Sequence, residues 1–163
     1  MPYRNLDQLY ASELKMTPES IREYERLNYF GGQWKPEYDA LIEIPAGWTR
    51  HPDYPVVAWD AALASVMVFT QPVLYEFPLL RVKTLLIVGQ RDRTAIGKAW
   101  APESVQTKMG NYPVLGRKAA RAIPGAKLVE IVNAGHLPQV EAFPEYIEAL
   151  SKFLASDAGA GSQ

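Results

Sequence analysis

Two short apolar runs in the second half of the chain constrain its fold more than anything else in it. They are Thr84-Leu-Leu-Ile-Val88 and Lys127-Leu-Val-Glu-Ile-Val132. Both are too short for core helices, rich in aliphatic and β-branched residues, and closed by glycine and polar residues. That pattern predicts strands, the first of them buried on both faces. The first run leads through Gly89-Gln90-Arg91 to Asp92, the second through Asn133-Ala134-Gly135 to His136. In an open parallel α/β sheet the ligand site lies outside the carboxyl ends of the strands, so these two side chains are candidates to meet. A carboxylate beside an imidazole selects the ring's tautomer and stabilises the imidazolium that forms on proton uptake, which is the supporting half of nucleophilic catalysis.

The stretch Gly135-His136-Leu137-Pro138-Gln139-Val140-Glu141-Ala142-Phe143-Pro144-Glu145, followed by a helical Ile147 to Leu154, resembles the histidine loop and last helix of an α/β-hydrolase. Asp92 after the earlier strand is similar to that family's acid. The resemblance extends over Leu79 to Leu154; before that it rests on the order of elements, with helices preceding the acid strand. It implies the C-terminal part of an α/β-hydrolase sheet preceded by a helical cap, in which His136 is the general base and Asp92 its orienting acid. It implies no metal or organic cofactor.

In that family the nucleophile precedes the acid, on a sharp turn written Gly-x-Ser-x-Gly. None of the seven serines has glycine two positions away on both sides, and there is no cysteine. No aspartate has such an elbow either. Ser65 falls within the apolar helical run Ala64-Ser65-Val66-Met67 and reads as a core serine bonded back to its own helix. The pair Gly31-Gly32 reads as a helix stop, a position at which glycine readily turns left-handed. The expectation is therefore a fragment that carries acid and histidine without nucleophile or oxyanion donors. Its partners would be a missing N-terminal half or a complementing chain and, in the complete enzyme, a small apolar ester or acyl substrate.

With 17 basic and 18 acidic residues and no basic cluster interleaved with aromatics, nucleic-acid binding lacks an electrostatic footprint. The absence of cysteine excludes a disulfide framework and thiolate metal sites, and two histidines at 51 and 136 match no zinc signature. The run Val56 to Phe69 is interrupted by Asp60 and too short to cross a bilayer, so no membrane span is expected. The N-terminal residues lack the apolar segment of a signal peptide; the compartment is unknown, cytoplasmic by default.

Leu6 to Leu14, Pro18 to Phe30, Pro36 to Ile44 and Pro55 to Thr70 read as helices, the second opened by Thr17 as N-cap and Pro18. Gln71 to Pro78 reads as an extended connection. The expected organisation is a helical cap or lid over 1–78, the C-terminal part of the core over 79–154, and a disordered tail over 155–163. Thirteen of the eighteen aromatic residues fall in the first 77 positions, enough either to fill the core of a small helical bundle or to line an apolar pocket. Asp92 and His136 are 44 positions apart, and the interval holds a long connection, Ile96 to Tyr112, ahead of a helix at Val114 to Ile123. A connection of that length suggests a lid or pocket wall. Glu103 within it is the alternative acid, and Asp60 competes from a helix. His51, in a polar turn, reads as structural or solvated. A non-catalytic module binding an apolar ligand or partner, and one subunit of a split hydrolase, are the other readings the residues allow.

Overall fold

A computed structural model of the chain describes residues 4–158. Two parallel strands, β1 (Leu85–Gly89) and β2 (Lys127–Ile131), pair in register from Leu85 opposite Lys127 to Gly89 opposite Ile131. Their carboxyl ends are level, so the loops that follow them leave the sheet side by side. Between the strands run a 3-10 turn at Lys98–Trp100 and helices α5 (Glu103–Gln106) and α6 (Tyr112–Ala122). Helix α6 packs on one face of the sheet, where the bare Gly116 lets Val88 and Leu128 approach its backbone. After β2 come α7 (Pro138–Glu141) and α8 (Phe143–Ala158), and Ile131, Ala134 and Ala142 form a small core with Ile87, Val129 and Tyr146 against them. The fold class is α/β.

The preceding helices are α1 (Leu6–Glu13), α2 (Pro18–Asn28), α3 (Asp39–Trp48) and α4 (Tyr54–Thr70). Their starts follow from local chemistry. Asn5 accepts the Gln8 N–H while Gln8 accepts the Asn5 N–H, and Thr17 and Ser20 do the same at the head of α2, where Pro18 holds the first helical position. Helix α2 stops at glycines with φ of 61° and 87°, Gly31 and Gly32, as their sequence suggests. Phe30 stacks on Tyr38 there and Trp34 meets both rings edge-on, with Phe30 wholly buried.

Several expectations are revised. Helix α3 does not end at Ile44; it continues through Pro45 to Trp48, because Ile42 and Ala46 are buried on the face that packs on α2, which offsets the hydrogen bond a proline forfeits. Residues Val73–Leu79 form a 3-10 helix where an extended connection is expected; bonds between residues three apart accommodate this proline-punctuated stretch in tight turns. The first strand is not buried on both faces: Leu85 to Val88 are only half-buried, since among the described residues β1 has a paired strand on one edge alone. Residues 155–158 continue α8, and 159–163 lie outside the described residues. Among the described residues no single helix is long and apolar enough to cross a membrane; α4 and Val73–Leu79 form an apolar pair bent by 61°.

Gly89 is required by close packing. A Cβ there would overlap the carbonyl oxygens of Ala134 and Gly135, whereas a Cβ at Gly47 in α3 meets nothing within 4 Å. Gly89→Ala is expected to cost about 3 kcal/mol or more, as overpacking against rigid backbone does. Gly47→Ala is expected to gain about 0.5–1 kcal/mol through the better helix former. Urea denaturation of the two variants checks both values.

Candidate active site

Asp92 and His136 meet where the two strand ends emerge. Asp92 lies in the turn after β1, closed by its own N–H donating to the Gly89 carbonyl, and is 4% exposed. One carboxylate oxygen, Oδ1, accepts the Thr94 backbone N–H at 2.8 Å; the other, Oδ2, is 2.9 Å from His136 Nδ1. A buried carboxylate is tolerable only when its oxygens are engaged in this way. The acceptor pair on Asp92 assigns the proton to Nδ1, leaving the Nε2 lone pair of His136 as the basic atom. The His136 side chain is 30% exposed, so the ring is held at one edge and open at the other.

Backbone contacts set this meeting. The Gln90 N–H donates to the Ile131 carbonyl and the Arg91 N–H to the Ala134 carbonyl, stitching the two loops together beyond the last sheet pair. The His136 N–H donates to the Tyr29 carbonyl at the end of α2, and Thr94 Oγ1 donates to the Asn28 carbonyl. Three segments distant in sequence thus converge: the loop after β1, the loop after β2 and the last residues of α2. Gly135 is the hinge of the second loop, where a Cβ would overlap the Tyr29 carbonyl oxygen.

The other acids named from sequence lie elsewhere. Asp60 is exposed on α4, and Glu103 opens α5 at the surface. His51 is exposed, its Nδ1 accepting the Asp53 N–H in a local turn. Ser65 is half-buried mid-helix and faces a cleft.

Sequence reasoning misses the aromatic walls of the site. The Tyr29 ring lies 4.6 Å from the His136 ring, tilted by 34°, and Tyr112 meets the imidazole edge-on at 6.2 Å. Burial pushes the Tyr29 phenol up to about 12, helped by Tyr24, Glu25, Asp92 and Tyr112 around it. Burial raises Tyr112 as well, with Asp92 adding to it. Both phenols are therefore neutral at physiological pH and present uncharged rings to the imidazole. No periodicity marks them, because one sits at the end of a helix and the other at the start of one.

A cleft of about 380 Å³ opens beside these walls, between α1, α2, α4 and the Ala95–Trp100 segment. Leu9, Met16, Tyr24, Ile96 and Trp100 give it an apolar lining, and Glu13 and Ser65 a polar rim. The Tyr24 ring meets the Tyr29 ring edge-on at 5.6 Å, so the two tyrosine rings stand between the cleft and His136. Of the long connection after Asp92, only the first part, Ala95 to Trp100, lines this cleft. Burial raises the Glu13 carboxyl above the usual range. Among the described residues there is no cluster of three or more histidine and carboxylate side chains that could hold a metal ion.

No protein-family model and no curated protein matches the chain. Among solved structures, a probable hydrolytic enzyme from Pseudomonas aeruginosa is similar to it over 94% of this chain, with 43% identity and a TM-score of 0.90. The chain spans about half of that enzyme's length, 49%. The likeness extends over nearly all of the chain.

Tyr29 supplies a test of the site's surroundings. A phenol with a raised pKa in the folded state stabilises the fold fully below its unfolded value near 10, and that contribution is lost as pH climbs toward about 12. Tyr29→Phe is expected to flatten part of the alkaline fall in stability between those limits. Tyr24, Tyr54 and Tyr112, also raised by burial, retain the rest. Thermal denaturation from pH 9 to 12 measures the difference.

Proposed function

We propose that the chain is the cap and C-terminal half of an α/β-hydrolase acting on a carboxylic ester or related small acyl substrate. The observation that carries this reading is His136 Nδ1 lying 2.9 Å from a buried Asp92 oxygen, at the level carboxyl ends of two adjacent parallel strands. Residues 1–78 would act as the cap and 79–154 as part of the core. The nucleophile, a serine on a strand-to-helix elbow, would come from a half carrying the remaining strands.

In the complete enzyme, His136 Nε2 removes the serine proton as the hydroxyl oxygen attacks the ester carbonyl. It then returns that proton to the departing alkoxide, and repeats the cycle with water to release the acid. Asp92 holds the ring with Nε2 outward and stabilises its positive charge in both half-reactions. Tyr29 and Tyr112 shield the imidazole from water, and the cleft beside them takes the apolar arm of the substrate. Esterase, dehalogenase, epoxide hydrolase and carbon–carbon hydrolase chemistries share such a pair, and the identity of the nucleophile divides them.

The surface of β1 supports a complementing half. A hollow of about 810 Å³ lies between α6 and the sheet, lined by Leu74, Phe77, Leu86, Val88, Leu115 and Ala119. Apolar surface beside a strand with an open edge is what a further parallel strand and its helix would cover. The same surface favours a second reading, in which the chain is one subunit of a split hydrolase. Weighing the native species that contains the peptide Leu85 to Arg91 separates the two: 18.2 kDa for a separate subunit, a clearly larger mass for one longer polypeptide.

The isolated chain is expected to show no turnover of 4-nitrophenyl acetate, since oxyanion stabilisation and nucleophile supply most of the rate. Co-expression with the remaining half of the Pseudomonas enzyme is expected to yield esterase activity. In that complex Asp92→Asn should lower kcat about 10⁴-fold and His136→Ala at least as much. Turnover that persists undiminished in His136→Ala would refute the proposal.

A further inference from the structure

Glu141 belongs to none of the roles described so far, yet its carboxylate is nearly enclosed. The side chain is 7% exposed, one turn beyond His136 at the end of α7. Its Oε1 is 2.5 Å from Arg91 Nη2, and its Oε2 accepts the backbone N–H of Gly135. Arg91 immediately precedes Asp92, and Gly135 immediately precedes His136. One carboxylate therefore joins the residue before the acid to the residue before the imidazole. Arg91 Nη2 also donates to the Asn133 carbonyl at 2.9 Å, and its backbone N–H donates to the Ala134 carbonyl at 2.9 Å, so a single arginine holds the second loop at two points and α7 at a third.

Such an arrangement is costly unless it does something. Enclosing a carboxylate in protein carries a desolvation penalty that a partly exposed guanidinium, 37% open here, offsets only in part. The remaining acceptor capacity of Glu141 is spent on the N–H of Gly135, at the point where a bare backbone passes under the Tyr29 carbonyl. That bond acts with the Arg91 N–H on the Ala134 carbonyl and the His136 N–H on the Tyr29 carbonyl in fixing the peptides on either side of Gly135, and a rotation at this glycine would move the imidazole away from Asp92.

We infer that Arg91 and Glu141 are positioning residues: they clasp the loops after β1 and β2 so that His136 Nδ1 stays bonded to Asp92 and Nε2 stays the basic atom. The clasp governs the tautomer of His136 whatever the ring does next; its importance for ester cleavage rests on the proposed hydrolase function.

The test reads the tautomer directly, on the full 163-residue chain. The chain's other histidine, His51, is exposed, its Nδ1 facing the Asp53 N–H at 3.2 Å and the Asp53 carboxylate at 3.6 Å, and it has no contact with Arg91 or Glu141 among the described residues. Long-range ¹H–¹⁵N correlation of the two imidazoles at pH 8 therefore carries its own reference. Wild-type His136 is expected to show the Nδ1–H form. Glu141→Gln and Arg91→Met are each expected to lower its ratio of Nδ1–H to Nε2–H at least about tenfold, the preference that a charged hydrogen bond maintains, with His51 unchanged. Arg91→Lys, which keeps the charge but cannot reach Glu141 and Asn133 together, should fall between. Its side chain lies at the more exposed end of the pair, so this variant keeps the test decisive where Glu141→Gln fails to fold. A His136 that stays in the Nδ1–H form in folded Arg91→Met and Arg91→Lys overturns the clasp. In the co-expressed complex, a tautomer shift accompanied by a fall in kcat with KM little changed supports a positioning role in the reaction. A tautomer shift in a complex that has no esterase activity supports the clasp and refutes the hydrolase reading alone.

Discussion

The descent of the loop after β2 onto the end of β1 is the contact on which the rest of the site depends. Backbone meets backbone there: Gly89 lies under the carbonyls of Ala134 and Gly135, and the Arg91 N–H reaches the Ala134 oxygen. Side chains cannot mediate an approach this close, which is why glycine stands at 89; Gly135 is bare for its own close approach, to the Tyr29 carbonyl. Once the loops are in contact, Asp92 and His136 have little freedom to miss each other. The level register of the two strands supplies the alignment, and the 44 residues between the two side chains become irrelevant to their separation.

Electrostatics then selects among the arrangements that packing allows. Asp92 is buried, and an ionised carboxylate in that setting needs donors on both oxygens, here the Thr94 N–H and the protonated Nδ1 of His136. The helical half of the chain completes the enclosure. Tyr29 gives its carbonyl to the His136 N–H and its ring to the face of the imidazole, and Asn28 takes the Thr94 hydroxyl. The end of α2 is thus part of the site as much as the strand loops are. Its glycine stop at Gly31 and Gly32 turns the chain away immediately after it has delivered these contacts.

Much of this was readable from the residues, and the parts that were not share a cause. Both strands, the parallel class, Asp92 over Glu103 as the partner of His136, and the Thr17-Pro18 helix start all follow from short-range patterns, since period, capping and turn chemistry act within a few residues. The path of α3 through Pro45 did not follow, because burial of Ile42 and Ala46 against another helix offsets a local penalty. The 3-10 helix at Val73–Leu79 and the half-exposed faces of β1 likewise depend on what lies beside those segments. Tyr29, Tyr112, Arg91 and Glu141 carry no motif that separates them from ordinary surface residues; their roles exist through partners that only the fold brings close, as the joining of Tyr29 to His136 and of Arg91 to Glu141 illustrates.

The sequence by itself determined which residues could do chemistry: a carboxylate and an imidazole, each placed just beyond a strand, with no serine or aspartate set in a nucleophile's turn. Those choices are local, being a matter of side-chain type and of hydrophobic period over five to ten residues. Tertiary structure alone decided their distance, the tautomer of the ring, the tyrosine walls and the cleft beside them. Each of these is a property of segments far apart in the chain and brought together by the fold. The physical reason is the short range of hydrogen bonding and close packing, which act over a few ångströms of space and are indifferent to separation along the backbone.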